Sequence, residues 1–547
     1  MKDIVNYKMD ENQKAFLDLL LEIDSICAKY EIPYTLGYGT LLGAIRHEGF
    51  IPWDNDVDIN MTEKDYGRFV EACKKEPDRK TRILCDCRIT RGYPKVYGRY
   101  YDLTCCRLSD KVNYWENICG RGIDIFYQIA IPKGEKGKDW LDYFYAYDEY
   151  VNDVYRHFRM KTDGVMAYYN EALQKEKKQG KEKTLQEMEE RIFNQNFEDA
   201  EFYIESSARY TSPNPISKIE WFKNPKRVMF EGHMLPVPGD YLEVLRNLYG
   251  DDFYMFPAEP KFIEESTYEG IPYEECLSDF LQNVNVEELK RTHKEYKDAA
   301  VEEGRRSTEI MRQWYKIYAI SLKNHILHKI EEEQISLDQL LINRTAESAA
   351  VLDDLFSEYY TRQFDASPLY WRCLFDLGDE LLEAALAHLF RFRRDTGKVR
   401  KLLRLMEQNE YRLTPKMLEI KDAMDLLWKC RKSFYYGEYE KAQEYGKQYR
   451  NIYGEQPELN EIMIQVKYSL SGKSELNDLE KEIVELMNEA PQNPYYRKVY
   501  ADLQYDRGDI SSSSVIYEDL MDSCRDGVLL LDVKHRLRKI QSFHKGE

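Results

Sequence analysis

The chain has 547 residues, of which 43% are hydrophobic, and its 98 acidic and 79 basic residues give a formal net charge of −19. This length exceeds one hydrophobic core and suggests about two to four domains. The acidic balance argues against a nucleic-acid-binding protein, which needs a cationic surface, and against non-specific adhesion to anionic membranes.

The eleven cysteines are odd in number and irregularly spaced, which is typical of a reducing compartment. The pairs Cys85/Cys87 and Cys105/Cys106, with Cys119, lack the C-x₂-C spacing of zinc sites, so buried thiols are favoured over a zinc site. The N-terminal MKDIVNYKMDE has no apolar segment, and no apolar run approaches about 18 residues. We expect no signal peptide and no membrane span, and a cytoplasmic protein, with a peripheral location at the inner face of the membrane left open.

The first predicted element is a helix. Asp10 and Gln13 have the spacing of a capping box, and apolar residues from Phe16 to Cys27 recur at helical spacing. A first strand is expected from Tyr34 to Tyr38. The glycine-rich run LGYGT and the segment LLGAIR follow, which indicates a strand, a turn and a helix start. Such a helix start favours anions, because its backbone N–H groups are free.

An acidic strand is predicted from Asp56 to Met61. Because side chains alternate along a strand, Val57, Ile59 and Met61 should pack on one side while Asp56, Asp58 and Asn60 project on the other. Two carboxylates about 6–7 Å apart at the backbone repel each other unless a cation lies between them. The alternative is an edge strand whose acidic face is solvated.

Residues 81–131 are predicted to form four strands, at 82–87, 96–101, 104–108 and 122–130. The last contains Asp124 inside the apolar run IDIFY. A buried carboxylate without a partner is unfavourable by several kcal/mol, so Asp124 should have a cation or strong donors beside it. The alternative is an acid at a strand end that faces water.

The remainder divides into three parts. Residues 139–210 are expected to be a charged helical insertion, and the run VMFEGHMLPVPGDYLEVLRNLYGDDF predicts a hairpin followed by a helix from Gly239 to Tyr249. From residue 276 amphipathic helices follow one another. Gly437, Gly472 and Gly508 separate helical patterns at spacings near those of tetratricopeptide repeats, although the consensus is poor.

Two of these stretches resemble a known family. The run GTLLGAIRHEGFIPWDNDVDI is similar to GTLLGAVRHxGFIPWDDDIDI, the signature of the LicD family, bacterial relatives of fukutin with a nucleotidyltransferase fold. The chain differs at Ile45, Val57 and Asn55, and Asn55 is one residue off the alternating acidic pair, so it should face away from the metal. The hairpin run resembles the second family signature, PFEG…PVPxxYDEYLxxxYGD, from Phe230 to Asp251.

The resemblance implies an α+β catalytic domain at residues 1–275, with a mixed sheet, flanking helices and the insertion at 139–210. An all-α helical-hairpin domain with tetratricopeptide-like repeats near 425–545 would occupy residues 276–547. The resemblance further implies that Asp56, Asp58 and Asp124 are catalytic and hold Mg²⁺ or Mn²⁺, with Asp124 as the third metal ligand or as the base that takes the acceptor proton. The expected substrate-binding residues are Gly39, Thr40, Arg46, His47, Lys95, Arg99, Glu231 and His233.

The implied activity is transfer of a phosphocholine-type or related phospho-alcohol group from a CDP-linked donor to a hydroxyl of a glycan or lipid-linked glycan, such as a teichoic-acid or lipopolysaccharide precursor, with release of CMP. One alternative is a nucleotidyltransferase that releases pyrophosphate. Another is a helical-repeat scaffold with an inactive catalytic domain. The helical domain could bind a protein partner, self-associate or only stabilise the chain, and no nucleic-acid partner is expected.

Overall fold

The structure is a computed structural model. It describes residues 7–76, 81–90, 93, 95–106, 120–151, 163–193, 197, 199–206, 215–257, 317–343, 345–365, 377–408, 411–472 and 474–545, together with 270–275 and single positions between 278 and 314. The chain forms two compact units, one of Tyr7–Leu248 with Ala258–Arg306 and the other of Tyr249–Pro257 with Ser307–Glu547. The domain boundary predicted at 275/276 falls where few residues are described and stays a prediction.

The first unit is built on a seven-stranded sheet with the order β1-β2-β5-β4-β3, in which β6 pairs with β5 and β7 pairs with β6. The strands are β1 (Thr35–Leu36), β2 (Asp58–Thr62), β3 (Arg82–Cys85), β4 (Gly98–Asp102), β5 (Arg121–Ile131), β6 (Phe202–Glu205) and β7 (Ile216–Lys218). β2 and β5 run parallel, and the other pairs are antiparallel. A separate hairpin pairs β8 (Lys226–Phe230) with β9 (His233–Val237).

Helices flank this sheet. They are α1 (Glu11–Lys29), α2 (Tyr38–His47), α3 (Glu63–Lys75), α4 (Glu135–Val151), α5 (Asp163–Gln179), α6 (Lys181–Phe193) and α7 (Tyr241–Tyr249), with a 3₁₀ turn at Ile219–Phe222. The capping box is confirmed, since the Asp10 carboxylate accepts from the Gln13 N–H at 2.7 Å and the Gln13 side chain accepts in return at 3.3 Å.

One face of the sheet packs against α1 and α3. The Tyr100 hydroxyl of β4 donates to Glu22 of α1 at 2.6 Å, and the Tyr66 ring of α3 stacks on Tyr127 of β5 at 4.7 Å between centroids. Val57, Ile59 and Met61 are buried, as predicted for the apolar side of the acidic strand. The opposite face of β2 and β5 is therefore left for the polar residues.

Three predicted elements are wrong in part. The strand at 104–108 is absent from residues 104–106, because the Asp102 carboxylate accepts from both the N–H and the hydroxyl of Thr104 and turns the chain; residues 107 and 108 lie outside the described part. Residues 139–210 are not all helical, since Phe202–Glu205 form β6. The strand predicted at 34–38 is only Thr35–Leu36, and Tyr38 already begins α2.

The pairs Cys85/Cys87 and Cys105/Cys106 are buried free thiols, as predicted, whereas Cys119 lies outside the described residues. No described helix is both long and apolar enough to cross a bilayer.

The second unit is helical. Residues 317–332 are helical. The helices described after them are α8 (Leu337–Asn343), α9 (Ala346–Asp365), α10 (Asp379–Arg391), α11 (Thr396–Gln408), α12 (Pro415–Tyr435), α13 (Tyr439–Tyr453), α14 (Pro457–Leu470), α15 (Leu476–Glu489), α16 (Pro494–Asp506), α17 (Ile510–Ser523) and α18 (Gly527–Lys545). Gly437 and Gly508 lie in the turns α12–α13 and α16–α17 with φ of 72° and 86°, where only glycine fits without strain. The fold class is thus α+β followed by helices, while the tetratricopeptide assignment stays a prediction.

Candidate active site

Two acids stand side by side on the polar face of the sheet. Asp58 opens β2 and is paired in register with Asp124 of the parallel strand β5. Register partners on adjacent strands point to the same face and lie about 4.8 Å apart along the sheet. Asp58 is only 9% exposed, whereas Asp56 precedes the strand and is exposed at its rim. The fold therefore brings two of the three predicted catalytic acids together, and the third, Asp56, lies at the rim of the sheet beside them.

The start of α2 fixes the backbone of Asp58. The Asp58 N–H donates to the Thr40 hydroxyl oxygen at 2.9 Å, and the Asp58 carbonyl accepts from the Gly37 N–H at 2.9 Å. Thr40 is buried, so its hydroxyl serves the acidic strand. A substrate role for Thr40 stays a prediction, and its bond to Asp58 gives it a clear structural role.

A fourth acid, Asp54, lies at the N-terminus of α2 and was not among the predicted site residues. A Cβ added to Gly39 would stand 2.2 Å from Oδ2 of Asp54, so the glycine is what lets this carboxylate approach the helix. The backbone carbonyl of Asp54 accepts a hydrogen bond from Nε2 of Gln13 at 3.1 Å. The signal was in the sequence, because Asp54, Asp56 and Asp58 follow one another at intervals of two residues.

Burial, together with neighbouring carboxylates, raises the pKa values of three of these acids. Burial and the neighbouring Asp56 raise the pKa of Asp54 to about 8, and a hydrogen bond joins the two carboxyl groups. Burial raises the pKa of Asp58 well above its usual range, with further contributions from Asp56, Asp124 and Asp54. Asp56 faces solvent on one side, yet the protein atoms around its other side raise its pKa as well. The site thus concentrates more negative charge than it neutralises.

Arg99 of β4 supplies the nearest opposing charge. It is the register partner of Asp124 on the other side of β5, and its Nε lies 2.9 Å from Oδ1 of Asp124. Its Nη2 also donates to the Gly122 carbonyl at 3.4 Å. This ion pair places a cation beside Asp124, as was expected for an acid inside an apolar run.

The carboxylate side chains of this site fit a hard divalent cation. Carboxylate oxygens are the preferred ligands of such a cation, and its positive charge would offset the repulsion at Asp58. Among the residues described, however, no three acidic, histidine or cysteine side chains are already arranged around one metal position. Asp124 is engaged by Arg99 and Asp56 by Asp54. Binding of a cation would therefore require these carboxylates to exchange partners.

The other predicted cations lie around α2 and before β4. Arg46 is buried in the last turn of α2, with its guanidinium 5.9 Å from the Trp53 ring centroid, and it lowers the pKa of Asp54 against the larger effect of burial. The His47 ring packs edge-on against Trp53 at 6.0 Å. Lys95 places its Nζ 5.0 Å from the Tyr97 ring centroid. Their contact with a substrate stays a prediction.

The second motif attaches the hairpin to the loop after α2. Oε1 of Glu231 accepts from the Phe50 N–H at 3.0 Å, and the Glu231 N–H donates to the Glu48 carbonyl at 2.8 Å. A Cβ at Gly49 would lie 2.1 Å from the same carboxylate. Glu231 thus braces the loop that leads to the acidic strand, while His233 of β9 is exposed. That either residue reaches a substrate stays a prediction.

Comparison with known proteins identifies a domain match in this region. Residues 31–144 match the family model described as LicD/FKTN/FKRP, nucleotidyltransferase domain. The chain is 33% identical over 143 residues to the lipopolysaccharide cholinephosphotransferase LicD of Haemophilus influenzae, a match that covers 26% of this chain and 45% of that protein. The chain therefore spans less than half the length of this relative.

Two further relatives match over shorter segments. An uncharacterized protein of Rickettsia typhi is 36% identical over 63 residues, which is 11% of this chain and 20% of that protein. An uncharacterized protein of Rickettsia prowazekii is 43% identical over 47 residues, which is 9% of this chain and 18% of that protein. No solved structure matches the chain.

Proposed function

We propose, since residues 31–144 belong to the LicD family of nucleotidyltransferase domains, that the protein is a metal-dependent phosphotransferase. It would move a phosphocholine-type or related phospho-alcohol group from a CDP-linked donor to a hydroxyl of a cell-surface glycan or of a teichoic-acid or lipopolysaccharide precursor. The name of the H. influenzae relative supports the choline phosphate and the lipopolysaccharide acceptor.

In the proposed reaction one phosphorus–oxygen bond forms and one breaks. The acceptor hydroxyl oxygen attacks the phosphorus that carries the alcohol, the bond from that phosphorus to the bridging oxygen breaks, and CMP leaves with the bridging oxygen. The hydroxyl proton passes to a base or to solvent. Stabilisation of the negative charge on the diphosphate is the main task of such a site.

Asp56, Asp58 and Asp124 would hold Mg²⁺ or Mn²⁺, which when bound would neutralise the donor diphosphate and the leaving CMP. The Arg99 guanidinium lies against the Asp124 carboxylate and supplies a positive charge beside the proposed ligands. Thr40 and Gly37 hold the backbone of Asp58 in place. Arg46, His47 and Lys95 are the candidates for contact with the phosphates.

The observation that supports this proposal most directly is the juxtaposition of like charges. Asp58 is buried, in register with Asp124, and its pKa is raised by Asp56, Asp124 and Asp54 in addition to burial. Repulsion of this kind is unfavourable in a purely structural cluster and is relieved by a divalent cation.

The test is a panel of CDP-linked donors, including CDP-choline, CDP-ethanolamine and a CDP-alditol, incubated with the full chain and Mg²⁺ or Mn²⁺. Mass spectrometry would identify the nucleotide released. We expect CMP, abolished by EDTA and restored by excess cation. Glu71→Gln is the matched control for substitution of a site acid. Glu71 lies on α3, is 62% exposed and pairs with Lys74.

Two other results would refute the proposal. Release of pyrophosphate from a nucleoside triphosphate would identify a nucleotidyltransferase. Absence of turnover together with no Mg²⁺-dependent thermal shift by any CDP compound would identify a scaffold, because a bound ligand stabilises the folded state by mass action.

A further inference from the structure

A cavity of about 400 Å³ lies among four helices of the second unit. It is lined by the end of α10, one side of α12, the C-terminal half of α13 and the start of α14. Its walls include the aromatic and apolar side chains of Phe390, Ile420, Ala423, Tyr449 and Tyr453. Small-molecule sites in proteins have volumes of about 300–1,000 Å³ and combine apolar walls with a few placed polar groups. The volume and the walls of this cavity fit such a site.

Gln456 supplies a polar group to the lining of this cavity. The residue is only 8% exposed. The Tyr449 hydroxyl donates to Oε1 of Gln456, whereas Nε2 has no hydrogen-bond partner among the residues that the structure describes. A buried donor without an acceptor is unfavourable, because it loses its bond to water and gains none in the protein. An acceptor atom of a ligand in the cavity would supply the missing partner.

The helix that begins beside Gln456 favours an anionic acceptor. Gln456 is the N-cap residue of α14, a helix of 14 residues, and its side chain makes no capping hydrogen bond. Pro457, the first residue of α14, also lines the cavity. The acid of this first turn, Glu458, forms an ion pair with the buried Arg431 at 2.9 Å. Because the N-terminus of a helix carries partial positive charge, the wall that holds the unpaired amide favours an anion.

The acids at the rim of the cavity are paired with cations. Glu419 lies 3.8 Å from Arg391, and Glu455 lies 2.6 Å from Arg450. The side chains of these two acids line the cavity and are 55% and 59% exposed, so they belong to its mouth. Their charges are therefore offset by neighbouring cations and screened by solvent, while the donors at the start of α14 lie deeper.

We propose that this cavity binds a small carboxylate that carries an apolar or aromatic group. The carboxylate would accept from Nε2 of Gln456 at the start of α14, and the hydrocarbon part would pack against Phe390, Ile420 and Tyr453. A purely apolar molecule would leave the amide unpaired, and a cationic molecule would meet the positive end of the helix. Charge complementarity therefore selects the carboxylate.

This inference concerns the second unit and goes beyond the proposed reaction. The cavity residues lie on helices α10 and α12–α14, whereas the acids proposed to hold the cation lie on and beside strands β2 and β5 of the first unit. The site would thus take a ligand of its own.

The experiment is a titration of the full chain, followed by saturation-transfer NMR, with 3-phenylpropionate as the probe. The matched amide 3-phenylpropanamide and amine 3-phenylpropylamine have the same hydrocarbon part and different charge. We expect 3-phenylpropionate to bind in the millimolar range or tighter. The amide should bind at least about fivefold more weakly, because a hydrogen bond to a charged acceptor is stronger than one to a neutral acceptor. The amine should bind most weakly.

Gln456→Met removes the donor at similar side-chain volume and should raise the Kd for 3-phenylpropionate by about tenfold or more. Gln456→Glu retains an acceptor for the Tyr449 hydroxyl, adds a negative charge and should weaken binding as well. Gln443→Met is the matched control, since Gln443 lies on α13, accepts from Lys447 at 3.1 Å and does not line the cavity. Thermal melting of each variant would verify that it is folded.

Three results would each overturn the proposal. They are no binding of 3-phenylpropionate at millimolar concentration, equal binding of the carboxylate and the amine, and an unchanged Kd in both Gln456 variants. The titration needs neither nucleotide nor divalent cation, so its failure would leave the CMP-release assay unaffected. Absence of CMP release with intact binding of 3-phenylpropionate would refute only the proposed reaction.

Discussion

Two buried charge clusters, one in each unit, are compensated in opposite ways. In the sheet unit Asp58 is buried beside other carboxylates, and Arg99 is paired with only one of them. In the helical unit Lys498 is buried with its Nζ 2.8 Å from Asp502 and 2.5 Å from Asp532. Burial alone would lower the pKa of Lys498, but these two acids raise it above its usual value. The cluster around Asp58 retains like charges, whereas the cluster around Lys498 pairs opposite charges.

This difference separates a structural role from a functional one. A compensated buried ion pair can hold helices together, and breaking it is strongly destabilising. A cluster of carboxylates that raise one another's pKa destabilises the ligand-free fold and becomes useful when a cation binds. We therefore expect a neutral substitution of Asp58 to affect activity and a neutral substitution of Asp502 to affect stability.

The largest expected effect is on catalysis. Asp58→Asn should lower CMP release by at least about a thousandfold, because it removes a proposed cation ligand. The variant should melt at the same or a higher temperature without cation, since it also removes buried repulsion. Steady-state CMP release and thermal melting would be measured together. An active Asp58→Asn variant would contradict the functional role assigned to the carboxylate cluster around Asp58.

The largest effect on stability is expected at Asp502. This residue is fully buried, accepts from the Tyr517 hydroxyl at 2.6 Å and lies 3.6 Å from Arg536 as well as beside Lys498. Asp502→Ala should lower the free energy of unfolding by about 3–5 kcal/mol, because it removes one of the two acids that compensate the buried Lys498 and the acceptor of the Tyr517 hydroxyl. Urea unfolding measures this difference.

Asp519 provides the control for that experiment. It pairs with Arg497 at 2.5 Å but is 55% exposed, and exposed ion pairs contribute less than about 1 kcal/mol. If Asp519→Ala destabilised the protein as much as Asp502→Ala, burial would not be the cause of the effect.

A smaller, pH-dependent effect is expected at Glu205 of β6. Burial raises the pKa of this residue to about 8 from an ordinary value of 4.5. The folded state therefore holds a proton that the unfolded state releases, so stability should fall as pH rises from about 4.5 to about 8. Glu205→Gln should flatten this slope in melting temperature against pH. Glu220→Gln, at an exposed acid, should leave the slope unchanged.

The smallest effect is expected at Thr40. Thr40→Val removes the acceptor of the buried Asp58 N–H and should lower the free energy of unfolding by about 1–3 kcal/mol. Thr40→Ser retains the hydroxyl and should behave like the unchanged protein. Denaturant unfolding and CMP release would show whether the bond positions Asp58. Equal behaviour of the two variants would mean that the bond contributes nothing.

Local patterns predicted much of the sheet unit. The capping box at Asp10, the start of α2 and the alternation around Asp58 all depend on residues within a few positions of one another, and each is present in the structure. The role of Asp124 as a partner of Asp58 came from the family resemblance, because no spacing rule joins these two residues.

Contacts between distant segments could not be predicted in the same way. Phe202–Glu205 extends the sheet because the C-terminal half of β5 pairs with it some seventy residues later, and local composition had indicated helix. The Arg99–Asp124 pair and the hold of Glu231 on the Phe50 N–H likewise join elements far apart in the chain.

The sequence by itself determined which side chains share a strand face, because the period of a strand is set by backbone geometry alone. It also determined the change from a mixed sheet to successive helices. Only the tertiary structure decided that Asp54 reaches the tip of α2, that Arg99 neutralises Asp124 and that Asp58 is buried among acids. Burial and electrostatic repulsion depend on distances in space, and these distances are fixed only when strands and helices from separate parts of the chain pack together.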